Sequence, residues 1–392
     1  MTAPASPATN LSDELLEHVS QRASRYDIEN RFFDEDFEEI RKTGYLKMPI
    51  PKEFGGLGFT LAECARETQR LAEHAPATAL ALNMHVYWMG VAADMRRLGD
   101  PSLEWMLREG AAGEIFAAGH GETGNDLTLL FSTARAERVD GGYRFYGRKM
   151  FGSLTPVWTR LGMHALDASD PENPKIVHAF MPRDTEGYEI RETWDVLGMR
   201  ATRSDDTILD GAFIPDRYVA RVLPVGQPDL FILCIFAWAE IGFASVYLGI
   251  ARRAMDIAVE TARKRTSVAL TRSMAYHPEV QHLAADMRMD VESSTALVDR
   301  VAADWSNGLD YGNDWPLKFV TAKHHTVEAA KRVVDGAMTI SGGGGMFRPS
   351  ELERLYRDVR CGGFHPANPL LAHEVIGKIA LGIDLTEQPR WG

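Results

Sequence analysis

The chain has 392 residues, of which 45% are hydrophobic, 25% charged and 9% aromatic. At about 100–200 residues per domain this is two or three globular domains with a large core, not a disordered tail, a disulfide-stapled mini-scaffold or a fibrous repeat. Lys and Arg number 43 against 55 Asp and Glu, a formal net charge of −12 with no basic stripe, which argues against nucleic acid and against an anionic membrane surface as partners.

The first residues, 1–10, read as a short disordered tail. They lack a basic start followed by an apolar core, so a secretory signal is not expected. Residues 11–118 then read as helical. Leu11, Leu15, Leu16 and Val19 share one helix face, with Ser12 as N-cap and Asp13 and Glu14 in the first turn. DEDFEEIRKTGYLKM gives a second short helix ending near Gly44, PKEFGGLGF a glycine-rich turn, and the segment from Leu61 to Asp100 two helices broken around Pro76.

From 119 to 224 the texture changes. TARAERVDGGYRFYGRKMFGS alternates around Asp140-Gly141-Gly142 as a hairpin does, and IVHAFMP, YEIRETWDV and DDTILDGAFIP are further strand candidates. Residues 225–392 return to helix. Phe231–Ala251 carries one charge, Glu240, and is long enough to cross a bilayer. A mid-membrane carboxylate is costly and no second span exists, so a buried core helix is expected instead. Gly242 and Gly249, seven apart, lie on one face of it and permit close packing. PEVQHLAADMRMDVESSTALVDRVAADW is another long helix. A third has Asp314 as N-cap and Pro316 in its first turn, and it stops at Gly342–Gly345. ELERLYRDVR and LLAHEVIGKIALGI flank a turn around His365-Pro366. No repeat, P-loop, H-E-x-x-H, G-x-S-x-G or strand-following G-x-G-x-x-G is present.

Cys64, Cys234 and Cys361 are far apart and without zinc spacing, so reduced thiols, a cytoplasmic location and no metal site are expected.

Helices, a small β-region and long helices, in that order, come with PKEFGGLG (51–58), GETGND (121–126), GRKMFGS (147–153), WDVLGMRATRSDDTILDGAFIPD (194–216), QHLAADM (281–287) and ISGGGGMF followed by ERLYRDVR (340–360). Together these resemble the acyl-CoA dehydrogenase superfamily of flavoproteins along nearly the whole chain. The resemblance implies an α+β, mainly α fold: an N-terminal helical domain (11–118), a middle, mostly antiparallel β-domain (119–224) and a C-terminal four-helix bundle (225–392). It also implies a dimer or tetramer, with FAD between the β-domain and the bundle.

By the same resemblance Gly124 and Asn125 contact flavin and substrate, Phe151 stands on the flavin face, and Ser153 places a hydroxyl near N5. Arg263 or Arg265 reaches the FAD diphosphate of a neighbouring subunit, where a guanidinium fork suits the anion. Gly342, Gly343, Gly344 and Gly345 approach the partner's FAD. Taken singly, each has a plainer reading: a helix cap, a core aromatic or a solvated arginine.

The residue that carries dehydrogenation is where the chain departs. Abstraction of a thioester α-proton needs a carboxylate, and the usual position falls on Pro366, next to His365. Some relatives place the base on the first bundle helix; that position is Ala239, and Glu240 beside it becomes the candidate. A lone carboxylate among apolar residues has a raised pKa and suits a base. Histidines instead mark the monooxygenase branch of the superfamily, with His365 and His85 as candidates. Three readings follow. One is an FAD-dependent acyl-CoA dehydrogenase of lipid metabolism, working with an electron-transfer flavoprotein. The second is a two-component monooxygenase taking reduced FMN or FAD from a flavin reductase and using oxygen on an aromatic or similar small molecule. The third is a flavin-binding partner subunit that has lost its base.

Overall fold

The computed structural model describes residues 10–126, 129–385 and 387. The expected tail lies outside them except for Asn10, whose backbone N–H donates to Glu67 Oε2 at 2.9 Å. Five helices come first: α1 (Asp13–Ile28), α2 (Asp34–Lys42), α3 (Leu61–His74), α4 (Pro76–Arg97) and α5 (Glu104–Ala112). Ser12 caps α1 through Leu15 N, and Thr60 with Glu63 forms a reciprocal capping box on α3. Pro76 opens α4, where its missing N–H costs nothing.

The middle region is one sheet of eight strands: β1 (Phe116–Ala118), β2 (Arg135–Val139), β3 (Gly142–Gly152), β4 (Arg160–Asp167), β5 (Lys175–Pro182), β6 (Tyr188–Arg191), β7 (Asp205–Pro215) and β8 (Val219–Pro224). The order is β6-β7-β3-β2-β4-β5-β8, with β1 added parallel to β4. β2 and β3 form the expected hairpin, Val139 opposite Gly142. Two differences from the sequence reading matter. The sheet begins at Phe116, inside the stretch expected to be helical. The strand expected over YEIRETWDV ends at Arg191, because Trp194 leaves the ladder: its N–H donates to the Asp205 carboxylate at 3.1 Å and its carbonyl accepts from Asn30 Nδ2 at 2.8 Å.

Three long helices follow, α6 (Leu230–Lys264), α7 (Pro278–Ser306) and α8 (Trp315–Ser341), then two short ones, α9 (Glu351–Arg360) and α10 (Pro369–Leu381). Asp314 precedes α8 but makes no side-chain capping bond, contrary to expectation. At 35 residues α6 is about 50 Å long, at 1.5 Å per residue. It is mostly buried inside protein, as a helix apolar on all sides must be. Gly242 lies against the Asn83 side chain of α4, and Gly249 against Gln69 and Ala72 of α3; added Cβ atoms would come within 2.4 and 2.6 Å of those neighbours.

Two groups join the three regions. Trp88 of α4 donates to Ala117 O of β1 at 3.0 Å, meets Phe180 of β5 edge-on at 4.7 Å and stacks over Phe231 of α6 at 6.1 Å. Asp94 Oδ2 accepts from both Trp238 Nε1 (2.7 Å, α6) and Trp305 Nε1 (2.6 Å, α7).

Candidate functional site: a hydroxyl chain beside an exposed phenylalanine

At the end of β3 the chain turns sharply. Phe151 has φ +61°, a left-handed conformation costing about 1–2 kcal/mol for a residue with a side chain, and its ring is 58% exposed beside Trp194 at 6.1 Å, edge-on. Two residues on, Ser153 is buried but for 7% of its surface. Its hydroxyl lies 2.7 Å from that of Ser204, which lies 2.7 Å from that of Thr202, which donates to Met199 O at 2.8 Å.

The loop carrying Thr202 and Ser204 is pinned from α9. Gly198 sits so close to the backbone of Arg357 that a Cβ there would come within 2.5 Å of it. Met199 N donates to Asp358 at 2.5 Å, and Arg357 holds Asp27 bidentately at 2.9 and 2.6 Å while donating to Leu197 O at 3.1 Å. Burial pushes the Asp358 carboxyl up to about 6. Neither Thr202, Ser204 nor Asp358 stood out in the sequence, where WDVLGMRATRSDD mattered only as a motif.

The GETGND loop is organised from beneath by Glu122. This carboxylate accepts from Lys149 Nζ, Ser132 Oγ, Thr133 N (2.8 Å), Ala134 N (3.2 Å) and Asn125 Nδ2 (2.8 Å). Burial works against its charge, yet Lys149 and the other donors outweigh it and hold the carboxyl down to about 2. Burial draws the Lys149 ammonium down to about 8 with Glu122 opposing. Alternation along β3 turns Lys149 inward, the one signal that a buried carboxylate must face it. Gly124, φ +74°, has no atom of the described residues within 4 Å of where a Cβ would stand. Asn125 donates its amide N–H groups inside the loop, to Glu122 Oε2 and to Phe131 O at 2.9 Å.

The three candidate bases fare differently. His85 is fully buried. Nε2 meets Leu46 O at 3.0 Å, Nδ1 accepts from Phe116 N at 3.0 Å, and burial holds the ring down to about 4. Both nitrogens tie α4 to the backbone, so His85 is a structural histidine rather than the expected catalytic one. Glu240 is 3% exposed beneath the turn between α9 and α10, accepting from Ala367 N at 3.1 Å; burial pushes it up to about 8, with Lys323 and that N–H opposing. Lys323 in turn donates to the carbonyls of His365 (3.1 Å) and Ala367 (2.7 Å). His365, on the turn itself, is partly exposed. It stacks on Phe243 at 4.6 Å and meets Tyr247 OH through Nε2 at 2.7 Å. Desolvation, then Lys323, holds it down to about 3.

Arg265 and the glycine turn come together: Arg265 donates to Ser341 O at 2.7 Å and packs on Gly342, φ +60°. Arg263 is exposed on the last turn of α6. These groups lie at the far end of α6, about 50 Å along the helix from Phe231, which touches the β-domain through His178. Among the described residues no three His, Cys, Asp or Glu side chains converge as a metal site.

An exposed aromatic beside a buried hydroxyl and an open glycine loop fits a planar heteroaromatic ring, and a guanidinium beside a glycine turn fits a phosphate. These are the features of a flavin-binding oxidoreductase. Residues 9–102 match the acyl-CoA dehydrogenase N-terminal domain and 241–369 its C-terminal domain. The chain is 30% identical to the amino sugar nitrososynthase DnmZ of Streptomyces peucetius, covering 96% of this chain and 95% of that one. It is 27% identical to the putative acyl-CoA dehydrogenase YdbM of Bacillus subtilis, covering 93% of each. Among solved structures it resembles KijD3 in complex with FMN and dTDP-3-amino-2,3,6-trideoxy-4-keto-3-methyl-D-glucose, with TM-score 0.86 and 26% identity over 99% of this chain and 97% of that one. The chain belongs to the acyl-CoA dehydrogenase superfamily.

Proposed function

We propose that this protein is a reduced-flavin-dependent monooxygenase that oxidises the nitrogen of an amino group, with an amino sugar nucleotide as the substrate class. The observation that carries this reading is the turn between α9 and α10. It presents an uncharged imidazole, His365, where a dehydrogenase needs a carboxylate, and Glu240 is withdrawn beneath it, engaged by Ala367 N. The nearly full-length similarity to a nitrososynthase supports it.

Bound flavin, once reduced, supplies two electrons and activates dioxygen: R–NH2 + O2 + reduced flavin gives R–NHOH + H2O + oxidised flavin. The chain's own residues bind and orient. Phe151 would cover the ring, Ser153 would face its edge, and Gly124 would let the loop approach it. Arg265 and Gly342–Gly345 hold a phosphate end from a second copy of the chain, which makes the active species a homo-oligomer. His365, neutral at pH 7 and held in place by Tyr247 OH, would hydrogen-bond the substrate amino group and adds no positive charge that would disfavour the free amine with its lone pair. A cytoplasmic flavin reductase provides the reduced cofactor.

A second reading, acyl-CoA dehydrogenation with Glu240 as base, draws on one observation: Glu240 Oε2 is buried without a hydrogen-bond partner among the described residues. One experiment separates the two. The protein is supplied with FMN or FAD, a reductase and 18O2, and a dTDP-amino sugar is examined by mass spectrometry for a gain of one labelled oxygen. Anaerobic bleaching of the bound flavin by an acyl-CoA, without oxygen incorporation into the amine, would overturn the proposal.

A further inference from the structure

The hydroxyl chain behind Phe151 has only one arrangement of protons. Each hydroxyl owns one proton and accepts through its lone pairs. Met199 O is a carbonyl and cannot donate, so at 2.8 Å the Thr202 proton must lie between Thr202 Oγ1 and that oxygen. Thr202 then has nothing left to give Ser204, and the contact at 2.7 Å requires Ser204 to donate to Thr202. By the same step Ser153 must donate to Ser204 across 2.7 Å. All three groups are buried, Thr202 fully, so water does not compete for these protons. The proton of Ser153 therefore points inward, and its remaining surface offers a lone pair.

We propose that the Ser153–Ser204–Thr202 chain, anchored on Met199 O, makes the site selective for reduced flavin. It presents a hydrogen-bond acceptor to the ring edge, which matches the N5–H of the reduced ring and opposes the bare N5 lone pair of the oxidised one. The proposal rests on the assignment of Ser153 to a flavin site and deepens it. A monooxygenase that receives its cofactor already reduced needs to capture that form and release the oxidised one, and an outward lone pair does both. The loop geometry serves the same end. The Met199–Asp358 and Leu197–Arg357 hydrogen bonds hold Met199 O, the anchor of the whole chain, against α9.

The test is anaerobic titration of the full chain with FMN and with FAD, each oxidised and dithionite-reduced, read by quenching of tryptophan fluorescence. One hydrogen bond predicts at least about fivefold tighter binding of the reduced form, equivalent to about +20 mV in the two-electron potential of the bound flavin. Ser204→Ala frees the Ser153 proton to turn outward and donate to oxidised N5, so the ratio should fall to about 1 or invert. It leaves Thr202 bonded to Met199 O and no buried donor orphaned, so the fold should tolerate it. Ser153→Ala should abolish the preference, and Thr202→Ser should keep it. Equal affinity for the two forms in the wild type, or an unchanged ratio in Ser204→Ala, would overturn the inference with the flavin assignment intact. Failure of the wild type to bind either flavin would overturn both.

Discussion

Replacing Glu122 by glutamine removes the counter-charge of an ammonium that is 1% exposed, while keeping the size of the side chain. Breaking a buried pair from one side costs about 3–5 kcal/mol, because the remaining charge stays desolvated. At about 2.1 cal/mol/K of unfolding entropy per residue, 392 residues give about 0.8 kcal/mol/K, so Glu122→Gln should lower Tm by about 4–6 °C. Lys149→Met should cost less, since the carboxylate keeps donors from Ser132, Thr133, Ala134 and Asn125. The double variant removes both charges and should recover much of the loss, with a coupling of about 2–3 kcal/mol. The pH dependence has a definite sign. A carboxyl held at about 2 instead of 4.5 contributes stability that is present above pH 4.5 and is lost as pH falls through 2. The advantage of wild type over Glu122→Gln should therefore shrink on acidification across that window, by about 3 kcal/mol in all. Thermal unfolding followed by circular dichroism measures each term, and flavin affinity reports the loop above Glu122. A Tm shift below about 1 °C for Glu122→Gln, or strict additivity in the double variant, would refute the argument.

Two further outcomes are expected. Asp94→Ala leaves two buried indole N–H groups without an acceptor, a loss of about 2–6 kcal/mol, whereas Asp94→Asn keeps one oxygen at the Oδ2 position for both, loses the part-exposed Arg97 ion pair at Oδ1 and should cost about 1–2 kcal/mol; chemical unfolding of the two variants checks the ratio. Glu240→Gln should retain monooxygenase turnover. It should also melt higher than wild type at alkaline pH, because a carboxyl raised from 4.5 to about 8 stabilises the fold fully below pH 4.5 and loses that contribution as pH rises through 8. Loss of turnover with an unchanged melting profile would return Glu240 to the role of base.

The sequence by itself determined most of the architecture. Helical periodicity, Ser12, Pro76, the Asp140-Gly141-Gly142 turn and the glycine pair on α6 are local or short-range signals, and each lies where local chemistry put it. Motif order identified the superfamily, and the prolyl residue at the usual base position left the chemistry open. What only the tertiary structure decided is which polar groups are already spent. His85 and Glu240 are attractive bases in one dimension. In three, one has both nitrogens on backbone groups and the other lies under a turn from a segment more than 120 residues later. Thr202 and Ser204 are ordinary residues in the sequence; they matter because a carbonyl and an aspartate on another helix orient them toward Ser153. A hydrogen-bond direction depends on every partner along a chain of contacts between distant segments, and no spacing or composition encodes that.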